Sequence, residues 1–109
     1  MLGKGGSPFA ADALRLGWDL KEGRLARVEI YTKMMCGFCH RAKKLLEMKK
    51  VEFEEYQVDF GGAKKTEMIE RAGGRMTVPQ IFINGRHVGG CDELMDLEYQ
   101  GKLDELLAA

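Results

Sequence analysis

The sequence predicts a single α/β domain in which a four-stranded mixed sheet is flanked by helices. Apolar stretches of strand length alternate with stretches of helical periodicity, in the order β-α-β-α-β-β-α. Asn84-Gly85, the strongest two-residue hairpin signal, joins the last two predicted strands. Cys36 and Cys39 form a Cys-x-x-Cys pair where the first strand passes into the first helix. This order predicts parallel pairing around the first crossover and an antiparallel hairpin near the C-terminus.

The composition is that of an ordinary soluble globular protein. The chain has 109 residues, and Lys plus Arg balance Asp plus Glu at 17 each, so charge favours no nucleic-acid partner. No run approaches about 18 apolar residues, which predicts no membrane-spanning helix. Arg15, Gly17 and Asp19 break the first apolar run, so no signal peptide is predicted. Three cysteines with one tight pair favour a reducing compartment, the cytoplasm.

Residues 1–25 differ from the rest of the chain and are predicted to lie outside the domain, which spans residues 26–109. Ser7-Pro8 is typical of a helix start, and residues 9–20 predict a short helix that carries Trp18. The helical pattern is weak. The segment is interpreted as a native extension, a docking arm or a remnant of expression.

The first strand is predicted over 27–32 and the first helix over 39–50. Ala42, Leu45 and Leu46 recur on one face of that helix and predict its buried side.

A second strand over 53–58 alternates poorly, so its faces are not assigned. Gly61-Gly62 then breaks the chain before a second helix over 63–72, which Gly73 is predicted to end.

The C-terminal part predicts a hairpin followed by two helices. Residues 80–83 are apolar on both faces, as in a buried central strand, and residues 86–88 return as an antiparallel strand. A third helix is predicted over 91–99 and a short last helix over 102–108.

Cys36 is the predicted nucleophile. The strand–turn–helix order places it at a helix N-terminus, where unpaired N–H groups and the helix dipole stabilise a thiolate. Lys33 adds a nearby positive charge, so we expect the pKa of Cys36 to lie below the free value of about 8.5. Cys39, three residues later, faces the same side of the helix, so the two sulfurs can close a short disulfide.

Other chemistries fit the cysteine pair less well. Cys36-x-x-Cys39-His40 is a literal haem-attachment pattern, but haem attachment would need an export signal and a helical wrap. Zinc could draw on these residues with His87 and Cys91, but a second Cys-x-x-Cys is missing. A structural pair is disfavoured because cysteines at a strand-to-helix turn are badly placed for burial. A redox-active pair is favoured.

Two later segments have open interpretations. Only about 6% of X–Pro bonds are cis, so the spacing favours a trans Val78–Pro79 bond; a cis bond would free Val78 to pair with an extended peptide. The segment 89–92, Gly-Gly-Cys-Asp, is either a turn with a helix cap or a site for a carboxylate. From residue types alone, we expect the Cys91 thiol to have no chemical role. We expect His40 and His87 to be surface residues.

Residues 28–107 resemble the glutaredoxin family, most closely its bacterial glutaredoxin 3 type. The matching segments are 28–33 (VEIYTK), 36–43 (Cys-x-x-Cys-His-Arg-Ala-Lys), 77–83 (TVPQIFI) and 89–92 (GGCD). The resemblance implies a thioredoxin fold. It implies a monomeric, glutathione-dependent thiol–disulfide oxidoreductase of cell redox homeostasis, with Cys36 and Cys39 catalytic. Its partners would be glutathione and glutathionylated or disulfide-containing proteins.

The resemblance also implies a glutathione site. Lys33 and Gln80 would lie near the glycine carboxylate, and Val78, before a cis Pro79, would pair with the cysteinyl backbone. Cys91 and Asp92 would hold the γ-glutamyl end, and Phe38 would flank the thiolate. The implied glutathione-binding residues are Lys33, Phe38, Thr77, Val78, Pro79, Gln80, Gly90, Cys91 and Asp92.

The residues between the two cysteines depart from the usual dithiol pattern. Gly37-Phe38 replaces Pro-Tyr, and Cys-Gly-Phe is shared with the monothiol class, which often carries iron–sulfur clusters. Only two residues separate Lys33 from Cys36, whereas that class has several more, which favours the dithiol enzyme. The alternative function is a [2Fe-2S] carrier, a dimer bridged by two Cys36 thiolates and two glutathiones. Outside that alternative no metal site is predicted.

Overall fold

The computed structural model describes residues 26–108, and its four strands form one mixed sheet in the order β2-β1-β3-β4. The strands are β1 (Val28–Thr32), β2 (Phe53–Gln57), β3 (Gln80–Ile83) and β4 (Arg86–Gly89). β1 pairs in parallel with β2 and antiparallel with β3, and β3 pairs antiparallel with β4. The predicted α/β fold, its first parallel pairing and its C-terminal hairpin are confirmed.

Four helices cover the sheet within the described residues: α1 (Gly37–Met48), α2 (Ala63–Arg71), α3 (Cys91–Tyr99) and α4 (Leu103–Ala108). α3 has the bounds predicted for it, and Gly73, with φ 66, follows α2 as predicted.

α1 begins and ends two residues earlier than the predicted 39–50. The prediction was wrong at the start because Gly37 and Phe38 already adopt helical geometry, with Cys36 as the capping residue. At the other end Lys50 has φ 61, which leaves the helix. The helix predicted over 9–20, and the assignment of residues 1–25 to an extension, lie outside the described residues.

The central strands are buried on both faces because a core lies on each side of the sheet. One core packs Ile30 of β1 and Ile81 of β3 against Leu46 of α1. The other packs Tyr31 of β1 and Phe82 of β3 against Met68 of α2. Alternate residues of a strand point to opposite faces, so the same two strands supply both cores.

The position of β2 in the sheet explains why apolar and polar residues alternate poorly along this strand. It is an edge strand, paired with β1 alone, and its residues are exposed or only half-buried. An edge position places little demand on side-chain polarity.

A buried charge lies near the start of β1. Glu29 is 6% exposed, and Arg71 donates to its carboxylate from Nη2 at 2.9 Å. Arg71 also donates to the Tyr31 hydroxyl at 2.8 Å and lies 4.0 Å from the centre of the Phe82 ring. Hydrogen bonding from Arg71 holds the pKa of Glu29 below its usual value, against the effect of burial. This pair ties the end of α2 to the centre of the sheet.

Within residues 26–108, no helix combines the length and the apolarity needed to cross a membrane.

Replacing Arg71 with Met should destabilise the fold. The variant leaves the buried Glu29 carboxylate short of its strongest donors, which costs about 1–3 kcal/mol in the free energy of unfolding. Urea denaturation at neutral pH, followed by circular dichroism, measures the loss. Arg86→Met, the same substitution at an exposed position of β4, is the matched control and should change stability by no more than about 0.5 kcal/mol.

The stability lost in Arg71→Met should depend on pH in a defined direction. The pKa of Glu29 is lowered in the folded state, so the contribution of the pair is present above its ordinary value of 4.5. The contribution disappears as pH falls through the folded-state pKa. The stability difference between wild type and variant should therefore shrink on acidification. A difference that stays constant down to about pH 3 would contradict this assignment.

Candidate active site

Cys36 is the capping residue of α1. Its backbone is extended (φ −108, ψ 112), and its Sγ accepts the Cys39 N–H at 3.2 Å. Its carbonyl accepts the His40 N–H at 3.0 Å. The sulfur of a partly exposed cysteine therefore receives a backbone donor at the N-terminal end of a helix.

Cys39 occupies a different environment from Cys36. It is 2% exposed, and burial, followed by its hydrogen bond with Cys36, raises its pKa to about 12. The prediction that neither cysteine is well placed for burial was wrong for Cys39. Because α1 begins at Gly37, Cys39 already lies in the first turn of the helix and faces the interior. Of the two free thiols, that of Cys36 is therefore accessible and that of Cys39 is protected from solvent.

The turn before Cys36 is held by the neighbouring parallel strand. Asp59, which follows β2, accepts the Met34 N–H at 2.9 Å, and Met35 has φ 57. The thiol opens into a cavity of about 460 Å³. Its lining residues are Lys33, Met34, Met35, Cys36, Gly37, Cys39, His40, Lys43, Glu55 and Gln57.

A second groove of about 280 Å³ brings together residues that are far apart in the chain. It is lined by Phe38, Arg75, Thr77, Val78, Pro79, Gly90, Cys91, Asp92 and Glu93. Seven of the nine residues predicted to bind glutathione are in this set, and Lys33 lies in the cavity at Cys36 instead. Cys91 is buried at the edge of this groove, and burial raises the pKa of its thiol.

The Val78–Pro79 bond is cis, so the trans bond favoured by spacing was wrong, while the cis bond implied by the family resemblance is present. The general frequency of cis X–Pro bonds takes no account of tertiary packing. Here Pro79 lies against the start of α3: a Cβ added at Gly90 would lie 3.3 Å from the Pro79 carbonyl oxygen.

Gln80 lies in neither cavity. Its side chain is fully buried, and its Nε2 donates to the Thr77 carbonyl at 3.0 Å. Its Oε1 lies 2.6 Å from Nε2 of His87. Both ends of the amide are therefore engaged inside the protein. The contact with a ligand carboxylate that the resemblance implied for Gln80 stays a prediction.

Two groove residues, Arg75 and Glu93, were not predicted. Oε1 of Glu93 accepts the Gly90 N–H at 2.7 Å, and Nη1 of Arg75 lies 3.4 Å from Oε2. Gly89 has φ 122, and a Cβ there would lie 2.8 Å from Glu93 Oε1, so only glycine fits. Gly90-x-x-Glu93 has the spacing of a capping box, the signal that could have revealed Glu93. The helix-cap interpretation of residues 89–92 is confirmed.

Comparison with known proteins identifies the family. The glutaredoxin family model matches residues 28–88. Glutaredoxin 3 of Escherichia coli (strain K12) is 57% identical over 83 residues, which cover 76% of this chain and 99% of the E. coli protein. This chain belongs to the glutaredoxin family. Membership gives it the general role of a thiol–disulfide oxidoreductase and confirms the expected redox class.

Solved glutaredoxins share the fold. The solution structure of the Brucella melitensis glutaredoxin has a TM-score of 0.66 and 51% identity, and the match covers 75% of this chain and 88% of that one. The crystal structure of a buckwheat glutaredoxin–glutathione complex has a TM-score of 0.68 and 29% identity, covering 89% and 84%. The four-stranded sheet with its helices is thus the thioredoxin fold, as the resemblance implied.

The difference in burial predicts which thiol reacts first. In the folded, reduced protein, iodoacetamide should modify Cys36 before Cys39 and Cys91, because both of these are buried and burial raises the pKa of each thiol. Mass spectrometry of proteolytic peptides after short exposures measures the order. In guanidinium chloride the three rates should converge. Modification of Cys39 ahead of Cys36 in the folded protein would refute the assignment.

Proposed function

We propose that this glutaredoxin uses glutathione to reduce protein–glutathione mixed disulfides and protein disulfides, with Cys36 as the nucleophile. The observation that carries the proposal is the pairing of one accessible thiol, capped by a helix N–H, with one buried thiol at the next turn. The groove beside the two thiols is suited to a peptide-like ligand. The buckwheat relative was solved as a complex with glutathione, which supports the choice of ligand.

The first step transfers glutathione to Cys36. The Cys36 thiolate attacks the glutathione sulfur of the mixed disulfide, so a new S–S bond forms as the substrate S–S bond breaks. The target protein leaves as a thiolate, which takes a proton from water. The rate of such an exchange depends on the thiolate fraction, the nucleophilicity of the attacking sulfur and the pKa of the leaving thiol.

Two routes can then release Cys36. A second glutathione thiolate can attack the bound glutathione sulfur, giving glutathione disulfide and free Cys36. Alternatively Cys39 attacks Cys36, expels glutathione and closes the Cys36–Cys39 disulfide, which glutathione later reduces. Cys39 must lose its proton to attack, and its pKa of about 12 keeps the thiol protonated near neutrality. This favours the route through a second glutathione.

The groove residues would hold glutathione in an extended conformation across the site. Val78 lines the groove next to Pro79, and its backbone would pair with the cysteinyl residue of glutathione. Asp92, exposed at the start of α3, would attract the positively charged amino group of the γ-glutamyl end. Lys33, in the cavity at Cys36, would attract the glycine carboxylate. Phe38, 57% exposed, would flank the sulfur.

The [2Fe-2S] carrier stays a prediction based on Gly37. Space around Gly37 is open, with no atom within 4 Å of an added Cβ, so packing does not require glycine there. Protein purified without oxygen, or reconstituted with iron and sulfide, would show visible absorbance if two copies share a cluster. A colourless protein after reconstitution would exclude this function. The monomeric state and the cytoplasmic location also stay predictions.

Single cysteine variants test the proposed reaction. In the glutathione-dependent reduction of a glutathionylated substrate, Cys36→Ser should lose activity to background, because a hydroxyl is a far weaker nucleophile. Cys39→Ser should keep substantial activity, because a second glutathione can release Cys36. The assay follows glutathione disulfide formation through a coupled reductase. Met48→Leu, at an exposed position of α1 that lines neither the cavity nor the groove, is the control and should keep full activity.

The outcomes separate three kinds of protein. Loss of activity in Cys39→Ser would mean that the intramolecular disulfide is obligatory, as in a thioredoxin-like reductase. An inactive wild type would refute the proposed activity and leave the cluster carrier as the remaining hypothesis.

Asp92→Asn tests the groove. Removing an exposed charge that pairs with the γ-glutamyl amino group should raise the KM for glutathione about fivefold, the equivalent of about 1 kcal/mol for a surface pair. The kcat should change little, since the contact is present before and during the reaction. Asp96→Asn, on the same helix outside this groove, should leave both constants unchanged. Equal effects of the two substitutions would refute the role of Asp92.

A further inference from the structure

His87 is connected to the groove by a chain of side-chain hydrogen bonds. Its Nε2 lies 2.6 Å from Oε1 of Gln80. Nε2 of Gln80 in turn donates to the Thr77 carbonyl at 3.0 Å and to Thr77 Oγ1 at 3.3 Å. Thr77 is exposed and lines the groove, whereas Gln80 is fully buried behind it. The His87–Gln80–Thr77 chain thus joins the edge strand β4 to a residue that faces a ligand.

The β3–β4 hairpin sets the position of the His87 ring. His87 lies opposite Phe82 in the antiparallel register, and the centres of the two rings are 5.0 Å apart. Phe82 is 1% exposed and belongs to the core beside α2, so its ring gives His87 a fixed surface to pack against. A side chain on an edge strand is therefore held with one ring nitrogen beside Gln80.

The contacts also fix which atoms donate. The amide nitrogen of Gln80 faces Thr77, because the Thr77 carbonyl can only accept and a flipped amide would place Oε1 against it. Oε1 of Gln80 is therefore an acceptor, and His87 donates to it from Nε2. Partial burial, together with the charge of Arg75, lowers the pKa of His87 below its usual value of 6.5. The neutral ring then carries its proton on Nε2.

Burial of Gln80 makes the donor from His87 important. Without it, the buried amide oxygen of Gln80 would lose the partner that offsets its desolvation. The amide could seek another donor only by rotating, and rotation would take its N–H groups away from Thr77. The orientation of Thr77 therefore depends on His87.

We propose that His87 is a positioning residue for the glutathione groove. Acting through Gln80, it holds the Thr77 hydroxyl in place to donate to an acceptor oxygen of bound glutathione. Since Thr77 Oγ1 accepts from Gln80, the hydroxyl proton can point towards the ligand. This inference rests on the proposed glutathione-dependent function. His87 takes no part in the exchange of disulfides at Cys36, so its effect is on the binding of glutathione.

Substitutions in β4 test this role in the glutathione-dependent assay. His87→Leu removes the donor and should raise the KM for glutathione about fivefold, as expected for one ordinary hydrogen bond, with kcat changed by less than about twofold. His87→Gln carries an amide N–H near the position of the ring Nε2 and should return KM to within about twofold of the wild type. Arg86→Met, at the exposed position before His87, is the matched control and should change neither constant.

A double-mutant cycle tests whether His87 acts through Thr77. Thr77→Val removes the hydroxyl and keeps the shape of the side chain, so it should raise KM by itself. In the Thr77→Val background, His87→Leu should raise KM by less than about twofold, because the contact that His87 supports is already absent. Fully additive effects would overturn the inference. An unchanged KM in His87→Leu, or failure of His87→Gln to restore KM, would also overturn it.

NMR of the free protein tests the hydrogen bond without glutathione. Long-range 1H–15N spectra recorded above the pKa of His87 should show the ring proton on Nε2, and a proton on Nδ1 would overturn the inference even if the His87 variants fold poorly. The two proposals can fail separately. An inactive wild type would refute the proposed function and this inference with it. An active wild type with a KM that does not respond to His87→Leu would refute this inference alone.

Discussion

The antiparallel register of β1 and β3 is the constraint on which the rest of the site depends. Tyr31 of β1 lies opposite Gln80 of β3, so the end of one strand meets the start of the other. The turn that carries Cys36 follows β1, and Val78–Pro79 precedes β3. Both strands are fixed by cores on each side of the sheet. A shift of one residue would reverse the faces of the strand that moves, so the packing that stabilises the fold also sets the geometry of the site.

The parallel pairing of β1 with β2 completes this arrangement. Thr32 is in register with Gln57, so the segments that follow the two strands leave the sheet side by side. Asp59 can therefore accept the Met34 N–H and hold the turn that presents Cys36. Two different neighbours of β1 thus build two sides of one site. The segment before β3 forms part of the groove, and the segment after β2 supports the loop that carries Cys36.

Burial gives the thiols of Cys36 and Cys39 different chemical properties. Cys36 ends a turn and caps a helix, which leaves its sulfur accessible with a backbone donor beside it. Cys39 lies one turn further on, inside the protein, and burial keeps it protonated.

The sequence alone determined the order of the elements, the hairpin at Asn84-Gly85 and the position of the cysteine pair. These features depend on local chemistry: side-chain periodicity, glycine at positive φ and a Cys-x-x-Cys spacing. The four matching segments also led directly to the family. Only the tertiary structure decided the cis bond at Pro79, the burial of Cys39 and of Gln80, and the contact between Glu93 and Arg75. Each of these depends on groups distant in the chain, because burial and charge pairing are created when separate elements meet.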